Sequence, residues 1–160
     1  MEHEIEISRE KSGLGYPQAA RLIKKAVNAA LNAEAVEVPC LVSVMLTDDE
    51  GIHRVNREFR DVDRPTDVLS FPLNELEPGA FDPELCERDP ETGAVLLGDM
   101  MISLPRCAQQ GEEFGHGFAR EIQYLAVHSA LHLLGYDHVD EGEQKRQMRA
   151  REKAIMGDAD

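Results

Sequence analysis

The chain has no tryptophan, three cysteines, and only five phenylalanines and three tyrosines in 160 residues. The cysteines, Cys40, Cys86 and Cys107, are odd in number, widely scattered and without a C-x-x-C pair. That pattern excludes a disulfide framework and fits reduced thiols in a cytosolic protein. Positive charge is also scarce: 17 lysines and arginines stand against 31 aspartates and glutamates, a formal net charge of −14. Such a molecule as a whole repels a polyanion, so a general nucleic-acid coat protein is excluded and any RNA site must be a local basic cleft. No apolar run approaches the roughly 20 residues of a membrane span. The charged start, MEHEIEISRE, lacks the basic-then-apolar order of a signal peptide, so neither insertion nor export is expected.

What is present is an alternation of strand and helix patterns over a length that suits one domain. Glu4 to Ile7 alternates polar and apolar as a first strand, and apolar residues recur at helical spacing from Tyr16 to about Ala33, with Pro17 in the first turn. Cys40 to Thr47 reads as a largely buried strand, followed by a helix that starts near Thr47 or Asp48. Arg64 to Pro72, bounded by prolines, fits an edge strand. Asn74 to Gly93 is rich in Pro, Gly and acids, and reads as a long solvated loop or as a lid over a site. Ala94 to Ser103 is a further strand whose internal Gly98 marks a bulge or a close backbone approach. Helices follow from Pro105 to near Gly115, from about Phe118 to Leu134, and from about Glu141 to Met156, the last carrying much of the remaining positive charge. The expected fold is a single α/β domain over residues 1–160, with a small mixed sheet of about four strands and several helices.

The stretch HSALHLLGYDH, His128 to His138, holds three of the six histidines. His128 and His132 lie one helical turn apart and share a face. Gly135 supplies the left-handed residue that ends a helix and turns the chain back, which brings His138 round to the same point. Three neutral imidazoles suit zinc with a fourth position left for water, a catalytic arrangement, although nickel or copper fit the same ligands. A metal there would lower the pKa of water to roughly 7. The metal site therefore belongs on a helix and the turn after it. The spacing is shared with metzincin proteases, but their general-base Glu is replaced by Ser129, and a hydroxyl of ordinary pKa is no such base. Met148 and Met156 read as core residues, and His3, His53 and His116 as surface residues.

Arg54, Arg57, Arg60 and Arg64 recur every three or four residues, balanced by Asp48, Asp49, Glu50 and Glu58. Together, beside the rigid Pro65, they form a candidate phosphate-binding edge. With FRDVDRPTDVLSFP at Phe59 to Pro72, LLGDMMIS at Leu96 to Ser103 and the histidine stretch, the chain from about Thr47 onward resembles the bacterial YbeY family of metal-dependent endoribonucleases and rRNA maturation factors.

The resemblance implies one zinc ion per chain, held by His128, His132 and His138 at the base of a cleft, with Arg60 in the place of the family's functional arginine. It implies cleavage of single-stranded RNA, maturation of the 3′ end of small-subunit rRNA, ribosome quality control and a cytoplasmic location. The partners it implies are the small ribosomal subunit, one of its proteins and an Era-like GTPase. Arg57 and Arg64 are candidates for RNA binding, and Asp137 and Asp99 for a general base or for support of a histidine. Two features depart from the family pattern: Ser129 stands where most members have Gly, and the 74–93 loop looks long. The alternatives are a non-catalytic ribosome-assembly factor with a structural metal, or a metal-dependent hydrolase of another substrate.

Overall fold

In the computed structural model, which describes residues 1–137 and 142–157, four strands form one mixed sheet. They are β1 (Glu4–Arg9), β2 (Cys40–Thr47), β3 (Val68–Pro72) and β4 (Val95–Ser103), in the spatial order β1-β2-β4-β3. β1, β2 and β4 run parallel, and β3 pairs antiparallel with β4 at an edge. The edge position accommodates Pro72, which has no N–H to give to a ladder.

The helices are α1 (Ala19–Ala33), α2 (Asp49–Arg60), α3 (Leu104–Glu113), α4 (Gly117–Leu133) and α5 (Glu143–Met156). Val42, Val44, Leu46, Met100 and Ile102 turn one sheet face toward the apolar residues of α1 and α4, and this is the main core. Alternation places Leu69, Phe71, Asp99 and Met101 on the other face. α4 touches α1, α3, α5, β3 and β4. Its buried residues surround it, which is how a helix hydrophobic on most sides is accommodated. A helix packed on so many sides is a rigid mount for two histidines.

Several expectations are refined. α1 starts at Ala19, because Tyr16 takes a left-handed φ of 54° and Pro17 precedes the first helical turn. β4 carries the expected irregularity: Leu41 pairs with Leu96 but Val42 with Gly98, so Leu97 is the extra residue. Gly98 has φ 142°, and a Cβ there would lie 2.4 Å from the carbonyl oxygen of Phe71, so the bulge requires glycine. His3 is not a surface residue. It is 7% exposed, and its Nδ1 accepts the Cys40 N–H at 3.1 Å at the start of β2.

The acidic loop is strapped down. Asn74 donates to the Leu96 carbonyl and accepts the Glu87 N–H, each at 2.9 Å, and Leu76 and Phe81 pack against the core. A short 3-10 turn spans Pro83–Leu85. No residue of 74–93 lines the cleft described below, so in this structure the segment does not take up a lid position. It instead buttresses the turn after α4. Gly135 has φ 102°, and a Cβ on it would come within 2.2 Å of the Leu76 oxygen.

Candidate functional site

A cleft of about 750 Å³ runs along the β3 edge between the C-terminal end of α2 and α4. α2 is set up by its ends. Asp48 caps it by accepting the Gly51 N–H at 2.9 Å, and acids fill its first turn while Arg57 and Arg60 fill its last, both favourable to the helix dipole. Asp61 terminates it in the left-handed region, φ 57°. The buried Asn56 then donates to the Arg64 carbonyl at 2.9 Å and pins the returning loop. The result is that Phe59 and Arg60, on the final turn, face the cleft beside Asp67, Ser70 and Phe71.

His128 and His132 form the opposite wall. Each ring is oriented through Nδ1. His128 Nδ1 lies 2.5 Å from Oε2 of Glu152, and His132 Nδ1 lies 2.9 Å from the carbonyl oxygen of Tyr136. Both partners only accept, so both Nδ1 atoms carry protons and the Nε2 atoms are left with lone pairs. Those Nε2 atoms face each other at 3.2 Å. Two nitrogens bound to one tetrahedral zinc at about 2.0–2.1 Å stand roughly 3.3 Å apart, so the pair fits a shared metal. A direct hydrogen bond would instead require an extra proton on one ring. His138 lies outside the described residues. Among the described residues two possible ligands meet, and no group of three closes.

The supports behind the rings are themselves anchored. Glu152, 6% exposed, also accepts the Tyr124 hydroxyl at 3.1 Å. Burial first, then the Glu152 carboxylate, pushes the Tyr124 phenol well above its ordinary range, which keeps it a donor. The Tyr136 hydroxyl donates to Glu34 at 2.5 Å, and Arg151 of α5 donates to the other Glu34 oxygen at 2.6 Å. Burial and Glu34 together raise the Tyr136 phenol to about 12. The turn after α4 and the helix α5 are thus fastened to the end of α1.

Sequence reasoning missed Glu152 and Tyr124. The available signal was an acid four residues after the buried Met148, on the apolar side of α5. Carboxylate support of a ligating histidine typically carries a 10–100-fold share of metal affinity. A zinc ion held by His128 would therefore lose about 10–100-fold in affinity in Glu152→Gln with the fold retained, read by competition with a chromophoric chelator.

Of the other candidates, Asp137 is exposed and lines the cleft. Asp99 does not: it is exposed on β4, one strand in from the edge, opposite Ser43 and Phe71 on the sheet face away from α4, and of that cross-strand pair only Phe71, on the edge strand, lines the cleft. Arg57, one turn earlier on α2, and Arg64, behind the helix cap, are exposed and outside the cleft lining. Arg54 is paired with Glu10. His53 bonds Asp63 and His116 bonds Glu121.

Ser129 is fully buried, and its hydroxyl meets that of Ser70 at 2.6 Å, joining α4 to the edge strand next to both histidines. Ser129→Ala removes this bond and, because Ser70 lines the cleft and can turn to water, is expected to cost about 0.5–1.5 kcal/mol. Thermal unfolding checks this, and the Ser70→Ala, Ser129→Ala pair should cost less than the sum of the single changes.

The family model described as Endoribonuclease YbeY matches residues 4–160. The Endoribonuclease YbeY of Clostridium kluyveri is 44% identical over 142 residues, which are 85% of this chain and 86% of that protein. The protein of the same name from Shouchella clausii is 42% identical over 154 residues, 96% of this chain and 93% of its own. The solution structure of TM1509 from Thermotoga maritima aligns with a TM-score of 0.56 at 25% identity, covering 94% of this chain and 88% of that one. Agreement along nearly the whole length, in sequence and in fold, makes the chain a member of the YbeY endoribonuclease family.

Proposed function

We propose that the protein is a metal-dependent endoribonuclease that cuts single-stranded RNA, with one zinc ion held by His128, His132 and His138. The observation that carries this reading is the pair of Nδ1-anchored imidazoles whose Nε2 atoms converge at 3.2 Å, across a cleft from Arg60. When bound, the metal supplies Lewis acidity to a phosphoryl oxygen and activates water at neutral pH. Arg60 binds the phosphate at the scissile bond and stabilises the charge that develops on it. Glu152 and the Tyr136 carbonyl hold the imidazoles in one tautomer and orientation. Asp137, at the cleft, is the candidate for accepting a proton or for supporting a histidine, whereas Asp99 is outside the cleft lining.

The substrate that fits the family is the 3′ end of small-subunit rRNA, with a role in ribosome quality control, in the cytoplasm. The small ribosomal subunit, one of its proteins and an Era-like GTPase would bring the two together. A docking partner answers the charge problem, since a protein of net charge −14 gains little from RNA attraction at long range. Among the described residues no helix is long and apolar enough to cross a membrane.

The test is cleavage of an end-labelled single-stranded RNA by the purified protein. Cleavage that a chelator abolishes and zinc restores supports the reading. Equal cleavage by an identically purified His132→Ala protein exposes a contaminant, and no cleavage by the zinc-loaded parent favours the assembly-factor alternative.

A further inference from the structure

Phe59 is 71% exposed, a costly position for a large apolar side chain in a molecule that has only five phenylalanines. Among the described residues the other exposed large hydrophobics are Met1, Leu73, Leu85 and Phe114, all less open than Phe59, and none of these lines the cleft, whereas Phe59 does. Its ring meets Phe71 edge to face, with centroids 6.2 Å apart and planes at 71°. Such a contact orients a ring while covering at most one of its faces. The two rings therefore form an oriented, water-exposed aromatic step immediately beside Arg60, in the same cavity as His128 and His132.

We propose that Phe59, steadied by Phe71, is a stacking platform for one unpaired nucleobase, that of a nucleotide next to the phosphate held by Arg60. The proposal rests on the endoribonuclease reading and gives it a source of strand selectivity. A base in a duplex has both faces covered by its neighbours, while an unpaired base can turn out and stack on an aromatic ring. Stacking also suits this chain electrostatically. It does not depend on net charge, so it supplies affinity where −14 offers none, and it is worth about tenfold to a hundredfold per base.

The experiment compares the zinc-loaded protein acting on a single-stranded RNA and on the same strand made abasic around the cut. The parent is expected to favour the base-bearing strand by about tenfold or more in kcat/KM. Phe59→Leu, which keeps bulk but not the ring, should lose that preference through a higher KM, and Phe59→Trp should restore it. Because the chain has no tryptophan, the Phe59→Trp protein carries a single indole, whose emission should be quenched by the base-bearing strand and not by the abasic one. A Phe59→Leu protein that keeps the full base preference overturns the platform. So does indole emission that stays unchanged while anisotropy reports the base-bearing RNA bound. A parent that neither binds nor cuts either strand overturns the endoribonuclease reading and the platform with it, whereas a parent that cuts both equally overturns the platform alone.

Discussion

Replacing His132 by alanine should abolish zinc binding and reduce RNA cleavage to background while leaving the protein folded. The ring contributes Nε2 to the convergent pair and is held through Nδ1 by the Tyr136 carbonyl. Loss of an outer support costs about 10–100-fold in metal affinity, and loss of a ligand should cost more. The structural cost is smaller, because the lost bond to the Tyr136 carbonyl is worth about 1 kcal/mol. Tyr136 remains tied to Glu34. Zinc at about a hundred times its Kd should stabilise the parent by about 2.7 kcal/mol. For a chain of this size that raises Tm by roughly 5–10 °C. Differential scanning fluorimetry with and without zinc should show this rise in the parent and none in His132→Ala. A variant that still shifts with zinc would remove His132 from the metal site.

Arg60→Ala should lower kcat by about 10²–10³-fold, the usual loss when a single donor to a developing oxyanion is removed. Metal content should match the parent, since Arg60 stands on α2 across the cleft from the histidines. Its exposure on the last helical turn makes a stability change beyond about 0.5 kcal/mol unexpected. Arg60→Lys should recover only part of the rate, because an ammonium cannot make the paired contacts that a guanidinium makes with phosphate. Single-turnover cleavage with metal content measured on the same sample separates the outcomes. Loss of metal in Arg60→Ala would contradict the role assigned here, as would an unchanged rate.

The local pattern carried much of the architecture. β2 has the bounds read from its β-rich run, Asp48 caps α2, β3 lies at an edge next to its proline, and Gly98 marks a bulge. These features depend on neighbours in the chain: side-chain period, capping oxygens, a missing N–H, a missing Cβ. The pairing of His128 with His132 was legible for the same reason, since four residues make about one helical turn.

Features that depend on two distant segments were not legible. The sequence could not say that Glu152 reaches back across 24 residues to His128, or that Glu34 holds Tyr136 from 102 residues away. Spacing alone could not separate Arg60 from Arg57 and Arg64; the resemblance singled Arg60 out, and the fold brings it into the cleft and leaves the other two outside, with the left-handed Asp61 ending α2 right after it. Asp99 and Asp137 looked equivalent until the fold put Asp137 in the cleft lining and left Asp99 on the inner strand beside Phe71. The sequence by itself determined the elements, the helix-borne histidine pair and the charge that confines any RNA site to a cleft, because each follows from covalent spacing and composition. Only the tertiary structure decided which carboxylate orients the His128 ring and which exposed phenylalanine lines the cleft beside Arg60, because packing alone brings together groups that the chain keeps far apart.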